Sequence, residues 1–246
     1  MLDLSINATS FERDFDRIAQ DLLQGYVLRI GAQRYQLMEL EFYYNTQEGT
    51  IDNFAHQHPI YYPNGTWRLH GAGLDIVLSK EGVYYGGILL RGLQPLDANG
   101  QPSGAYIDGP WNTASRCIAS KGKVDEAIAF YLEALATPLT IAFKKSPRVG
   151  LFLRKVEDLK YICKPWRYNI LPNQSQRYRQ LLFLQAYVQG EDCSVLLGLS
   201  TRSKNNYIQY FEEGRQMEAT AFVDGGTGVK HTCRLFVYCY QYDYII

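Results

Sequence analysis

No run of the sequence approaches the 18 or more consecutive apolar residues that a membrane span requires, so no membrane partner is expected. Its start, Met1-Leu2-Asp3-Leu4, lacks a basic segment followed by an apolar one, which predicts no secretory leader and a cytoplasmic location. Charge is sparse and balanced, with 25 basic and 25 acidic side chains among 246 residues. A net charge of zero argues against a chain that grips nucleic acid through global charge, while leaving room for a local basic face. No Cys-x-x-Cys pair occurs. The five cysteines, Cys117, Cys163, Cys193, Cys233 and Cys239, are odd in number and widely spaced. Neither a disulfide framework nor a zinc ribbon fits them, and buried or idle thiols are expected. The glycine clusters Gly71-Ala72-Gly73, Gly86-Gly87 and Gly225-Gly226-Thr227-Gly228 match neither a phosphate-binding nor a dinucleotide-binding loop, and no G-x-S-x-G is present. No cofactor is expected.

What the chain has in quantity is apolar and aromatic matter: 46% hydrophobic residues and 20 tyrosines, enough for a sizeable core. The length suits one largish domain or one domain with an appended piece. Thr9 and Glu12 have capping-box spacing ahead of Phe15, Ile18, Ala19 and Leu22 at helical period, with Gly25 closing the helix. Strands are predicted at 26–30, 34–44, 74–78 and 83–91, and a helix at 123–136 from Val124, Ile128, Leu132 and Leu135. Beyond 147 the pattern predicts strands at 149–153, 182–188, 194–199, 219–223 and 233–240, with Asp224–Gly228 turning a hairpin. Such content predicts an α+β fold.

Three groups of residues suggest chemistry. In the strand 34–44, Met38, Leu40, Phe42 and Tyr44 share one face, and Leu37, Glu39, Glu41 and Tyr43 the other. Carboxylates two apart on a strand, with Cα atoms roughly 6.5–7 Å apart, raise each other's pKa and suit general-base work; a solvated strand face is the plain alternative. His56, His58 and His70, flanked by Asp52 and Asp75, suggest zinc or iron, but Pro59 makes the segment a loop, and no metal site is expected. Lys144, Lys145 and Arg148, and Lys164 and Arg167 beside Trp166 and Tyr168, suit phosphate contact with base stacking, or an ordinary surface with snorkelling stems.

Taken in order, several segments resemble the alkyladenine (3-methyladenine, methylpurine) DNA glycosylase family. Ile18–Leu28 is similar to its opening helix and strand. Leu37-Met38-Glu39-Leu40-Glu41-Phe42-Tyr43 is similar to its hallmark strand, and Asp52-Asn53-Phe54-Ala55-His56 to the end of the following loop. Ile88–Pro95, Asp108–Ala114, Pro147-Arg148-Val149-Gly150 and Pro165-Trp166-Arg167-Tyr168 echo later segments in the same order. The resemblance implies a mostly antiparallel curved sheet flanked by a few helices over residues 1–170, with 171–246 as a strand-rich extension packed on the same domain. It implies a metal-free enzyme that flips a damaged purine from duplex DNA and cleaves its glycosidic bond by a glutamate-activated water. Glu41 would be the base, and Arg91 would lie beside it and help orient the water or the nearby phosphate. Tyr43 and His56 would contact the flipped base, with His70 and Asp75 lining the pocket and Lys144, Lys145, Arg148 and Arg167 serving the nucleic acid. The chain departs from the family in its shorter stretch from Gly65-Thr66 to Asp75, its acid where the family has an asparagine, and its neutral charge. These departures favour, as alternatives, a nucleoside or other small-molecule substrate, or a non-catalytic binding module.

Overall fold

In the computed structural model, which describes residues 2–46, 52–55, 62–119, 125, 127–170 and 178–242, helix α1 (Phe11–Gly25) buries Phe15, Ile18, Ala19, Leu22 and Leu23 on one side. The predicted period is observed, but the cap is not. Ser10 rather than Thr9 occupies the N-cap, and it makes no side-chain capping bond. Glu12 and Asp14 in the first turn face the positive end of the helix dipole.

The chain forms two compact units, Met1–Ala142 and Phe143–Ile246. In the first unit, α1 leads into β1 (Tyr26–Ile30) and the long β2 (Gln33–Thr46). There follow β3 (Trp67–His70), β4 (Gly73–Lys80), β5 (Tyr84–Leu96), the short β6 (Ile107–Asp108), α2 (Pro110–Ile118) and β7 (Phe130–Ala134). The strands are antiparallel in the order β3-β4-β5-β2-β1-β7, with β6 alongside the end of β5. The sheet is curled. Trp67 on one edge strand lies 4.8 Å, ring to ring, from Phe130 on the other. The expected helix over 123–136 is corrected by β7. The free edge of β1 takes up residues 130–134 as a strand, a pairing that helical spacing cannot foresee.

Period-two alternation sorts the sheet's faces. Trp67, Ile76, Ile88 and Phe42 stand in one row across β3, β4, β5 and β2, and Phe15 of α1 stacks on Phe42 at 4.5 Å. Tyr44 continues the aromatic layer, 5.6 Å from Phe15 and 4.8 Å from Phe11. Burial raises the Tyr44 phenol's pKa well beyond the ordinary tyrosine range. The central β2–β5 pair has no room for a side chain at Gly86, where a Cβ would stand 2.0 Å from the Tyr43 carbonyl oxygen. The obstacle is backbone in mid-ladder. Gly86→Ala is therefore expected to cost about 3 kcal/mol or more, read as a fall in the midpoint of denaturant unfolding.

The second unit is helical where strands were expected. It comprises the hairpin β8 (Phe143–Ser146) and β9 (Arg167–Ile170), α3 (Leu159–Ile162), α4 (Arg179–Val188), α5 (Thr201–Gly214) and α6 (Val229–Gln241). The predicted strand 182–188 lies in α4, which is buried at every position from Gln180 to Leu184 and so lacks a polar stripe to mark its period. The predicted strand 233–240 lies in α6, whose buried Cys233, Phe236 and Val237 follow helical spacing. Residues 149–153 and 194–199 form no strand, and 219–223 lies largely in the single 3-10 turn Ala219–Phe222. Asp224–Gly228 accordingly joins that turn to α6 instead of closing a hairpin.

The cysteines are also corrected. Cys163 and Cys239 form a disulfide that ties the residue after α3 to the last turn of α6. Cys117 and Cys233 are free thiols that burial pushes up to about 12. At pH 8 both are expected to react with iodoacetamide far more slowly than in the denatured chain. Because their folded pKa values are raised, their contribution to stability is full below the unfolded value and is lost as pH rises toward 12.

Candidate functional site

The face of the first unit's sheet opposite α1 carries the chemistry. Cross-strand register places Arg68, Asp75, Leu89 and Glu41 in one row across β3, β4, β5 and β2. Glu39 and Tyr43 lie two positions either side of Glu41, and His70 lies two beyond Arg68. The polar face was expected to present carboxylates in a partly apolar setting, and burial is nearly complete. Glu41 is 0% exposed, Glu39 1% and Asp75 3%. A solvated strand face is thereby excluded.

The β2–β5 ladder is irregular at this point. Leu37 pairs with Leu93, Glu39 with Gly92 and Leu40 with Leu90, so the register skips Met38 on one strand and Arg91 on the other. The paired irregularity brings the Arg91 guanidinium between two carboxylates instead of opposite one. Arg91 Nε donates to Glu39 Oε1 at 2.9 Å, and Arg91 Nη1 donates to Glu41 Oε2 at 3.4 Å. The Tyr43 hydroxyl donates to the same Glu41 oxygen at 2.9 Å. Burial alone would lower the Arg91 pKa, but the Glu41 and Glu39 carboxylates raise it by more, and the guanidinium stays charged. Gly92 makes the space: a Cβ there would meet the Tyr106 hydroxyl at 2.2 Å and Glu39 Cβ at 3.1 Å.

A second cluster stands beside the first. Arg68 Nη2 donates to Asp75 Oδ2 at 2.9 Å, and His70 Nε2 lies 2.9 Å from the same oxygen. The Ala72 backbone N–H donates to His70 Nδ1 at 3.3 Å. Gly87 leaves room for this carboxylate, since a Cβ there would lie 2.8 Å from Asp75 Oδ2. Gly87→Ala is expected to push Asp75 off Arg68 and His70 and to destabilise by about 1–3 kcal/mol, measurable by thermal unfolding. Helix α2 is anchored over the same strands. The Gly109 N–H donates to the Arg91 carbonyl at 2.8 Å, and a Cβ on Gly73 would meet Pro110 Cβ at 3.0 Å.

Of the predicted site residues, the structure brings together Glu41, Tyr43 and Arg91, and separately His70 and Asp75, all on one sheet face. His56, and His58 of the metal alternative, lie outside the described residues. Asp52 is buried and accepts from the backbone N–H of Phe54 at 3.1 Å. Among the described residues no group of three or more His, Cys, Asp or Glu side chains is arranged to hold a metal ion.

The basic group needs correction. Arg148 is buried, donates to the Tyr161 carbonyl at 3.0 Å and lies over the Trp166 ring at 5.0 Å. Arg167 is 0% exposed and donates to Ser146 Oγ at 3.3 Å. Both guanidinium groups are buried and engaged within the second unit. Lys144 is partly exposed but paired with Glu191 at 3.2 Å, and Lys145 sits 5.5 Å from the Tyr168 ring.

Sequence reasoning missed Arg68. A two-residue Gly71-Ala72 turn between β3 and β4 fixes His70 opposite Gly73 and hence Arg68 opposite Asp75. Gly-x between two apolar-alternating runs was the available signal. No family model matches the chain, and no curated protein matches it.

Proposed function

We propose that this chain is a glycosylase-type hydrolase in which Glu41 activates water to break the N-glycosidic bond of a damaged purine flipped out of duplex DNA. The observation that carries the reading is the Arg91 clamp. One buried guanidinium fixes Glu41 beside Glu39, while Tyr43 donates to the Glu41 carboxylate from the same face. The resemblance of Leu37–Tyr43 and Ile88–Pro95 to glycosylase segments points to the same three residues. In this reading Glu41 takes a proton from water and the water oxygen attacks C1′. The C1′–N bond electrons leave with the base, which takes up a proton from solvent as it departs, and Glu41 later returns its own proton to solvent. Arg91 is a positioning residue that holds the carboxylate. Tyr43 presents its ring to the base, and His70 and Asp75 line the purine edge, with no cofactor required.

One observation favours a second reading. Glu41 is fully buried, with Tyr43 and Arg91 both directed at Oε2, which is the geometry of a structural polar network. A non-catalytic binding module would keep that network closed. A nucleoside-acting enzyme would use the same glutamate without a DNA-binding face, as the neutral charge favours. Base release separates the three. The substrates are a duplex oligonucleotide carrying one alkylated or deaminated purine and the corresponding free nucleoside, both at low salt. Release from the duplex supports the DNA reading, and release from the nucleoside alone supports the small-molecule enzyme. No release from either contradicts both and leaves the binding module. A cytoplasmic location belongs to the sequence reading, and the Cys163–Cys239 bridge bears against it, because disulfides persist chiefly in oxidising compartments.

A further inference from the structure

Where α1 hands over to β1, the first unit holds an open cavity of about 390 Å³, within the size range of small-molecule sites. One wall is the last turn of α1 with Tyr26. The other is the end of β7 and the loop after it, including Leu135 and Pro138. Backbone bonds tie the two walls together. The Leu135 N–H donates to the Gly25 carbonyl and the Leu139 N–H to the Gln24 carbonyl, each at 2.8 Å. Gln24 Nε2 adds a bond to the Ile141 carbonyl, also at 2.8 Å. Gly25 keeps the space clear, since a Cβ there would meet nothing within 4 Å among the described residues beyond its own helix and chain neighbours.

The charge around the cavity is of one sign. Asp21 contributes a carboxylate with neither an ion pair nor a hydrogen bond among the described residues, although Arg17 on the same helix pairs with Asp3 and Asp14. The last turn of α1 carries no basic residue, so no side-chain charge offsets the negative end of the helix dipole. Among the described residues no Lys, Arg or His lines the cavity. Tyr26 brings an aromatic ring, and Leu2, Ala134, Leu135 and Pro138 supply apolar wall. A single carboxylate is a poor metal site, because calcium and magnesium demand several oxygen ligands at short range, and the volume far exceeds that of an ion. An anion, a helix end and a ring beside apolar walls suit an organic cation.

We infer that this cavity binds a small organic ammonium, a primary amine carried on an apolar or aromatic body. Asp21 accepts from the ammonium N–H groups, the end of α1 and the Tyr26 ring add attraction for the positive charge, and the body rests against Leu135 and Pro138. The site shares no residue with the Glu41 cluster and stands whether or not that glutamate is catalytic.

The probes are phenethylammonium and phenethyl alcohol, near-isosteric molecules that differ in charge, titrated calorimetrically into the full chain at neutral pH and low salt. The ammonium is expected to bind about 10-fold more tightly, since a carboxylate open to water, a helix end and a ring each add only a small factor. Asp21→Asn is expected to weaken the ammonium about threefold or more and to leave the alcohol unchanged. Asp21 is exposed, and its loss removes a negative charge from the negative end of the dipole, so thermal unfolding is expected to show no loss of stability. Gly25→Leu fills the cavity and is expected to abolish binding of both probes. Equal affinities for the two probes, or a preference that Asp21→Asn leaves intact, would overturn the inference. So would an absence of ammonium binding at about 10 mM. Displacement of the ammonium by an equal concentration of calcium would overturn it too, by making the cavity a metal site.

Discussion

Glu41→Gln is expected to slow base release by about 10²–10⁴-fold while leaving the chain folded. The amide keeps the size of the carboxylate and still accepts from Tyr43, but it takes up no proton from water. The fold is expected to survive because the shorter of the two Arg91 bonds goes to Glu39, at 2.9 Å against 3.4 Å for Glu41. The guanidinium therefore keeps a carboxylate partner and is not stranded as a buried charge. Glu39→Gln tests the same clamp from the other side. It removes the tighter bond, lets Arg91 swing toward Glu41, and is expected to cost activity by a smaller factor, together with measurable stability. If Glu39→Gln abolished release and Glu41→Gln did not, the two carboxylates would have to exchange roles.

The second large effect concerns the disulfide. Cys163 and Cys239 close a loop with a sequence separation of 76, and the chain-entropy view gives such a bridge about 4 kcal/mol. Replacing both by serine is expected to lower the unfolding free energy of the second unit by about that amount. Reduction of the wild-type chain under native conditions is expected to do the same. Denaturant unfolding with and without a thiol reductant measures it. A coincident pair of unfolding curves would show that α3 and α6 are held by packing alone.

The first unit was legible because its physics is local. Strict alternation in β2 places Met38, Leu40, Phe42 and Tyr44 on the face that α1 covers, and Glu39, Glu41 and Tyr43 on the other. A period of two needs no knowledge of partners. Arg91 beside Glu41 followed from family resemblance rather than from pattern, because the irregular β2–β5 register that brings it there leaves no mark in the sequence. Arg68 was within reach through the Gly71-Ala72 turn, and Asp75 was named without its partner. The second unit misled for a related reason. The run 182–188 is apolar but for Gln185, and 233–240 is rich in aromatic residues, so composition suggested strands where α4 and α6 form. Exposure was the other failure. Arg148 and Arg167 lie in a cationic stretch that suits phosphate contact, yet each spends its guanidinium on the interior, on the Tyr161 carbonyl and on Ser146.

The measurement that bears most directly on the central claim is abasic-site formation in a duplex oligonucleotide carrying one hypoxanthine, etheno-adenine or alkylated purine. Wild type and Glu41→Gln are compared under single-turnover conditions at low salt, and alkali cleavage reveals the sites. The account predicts cleavage by the wild-type chain on at least one of these lesions, reduced at least about 100-fold by the substitution. Equal cleavage by the two proteins, or none by either, would contradict it.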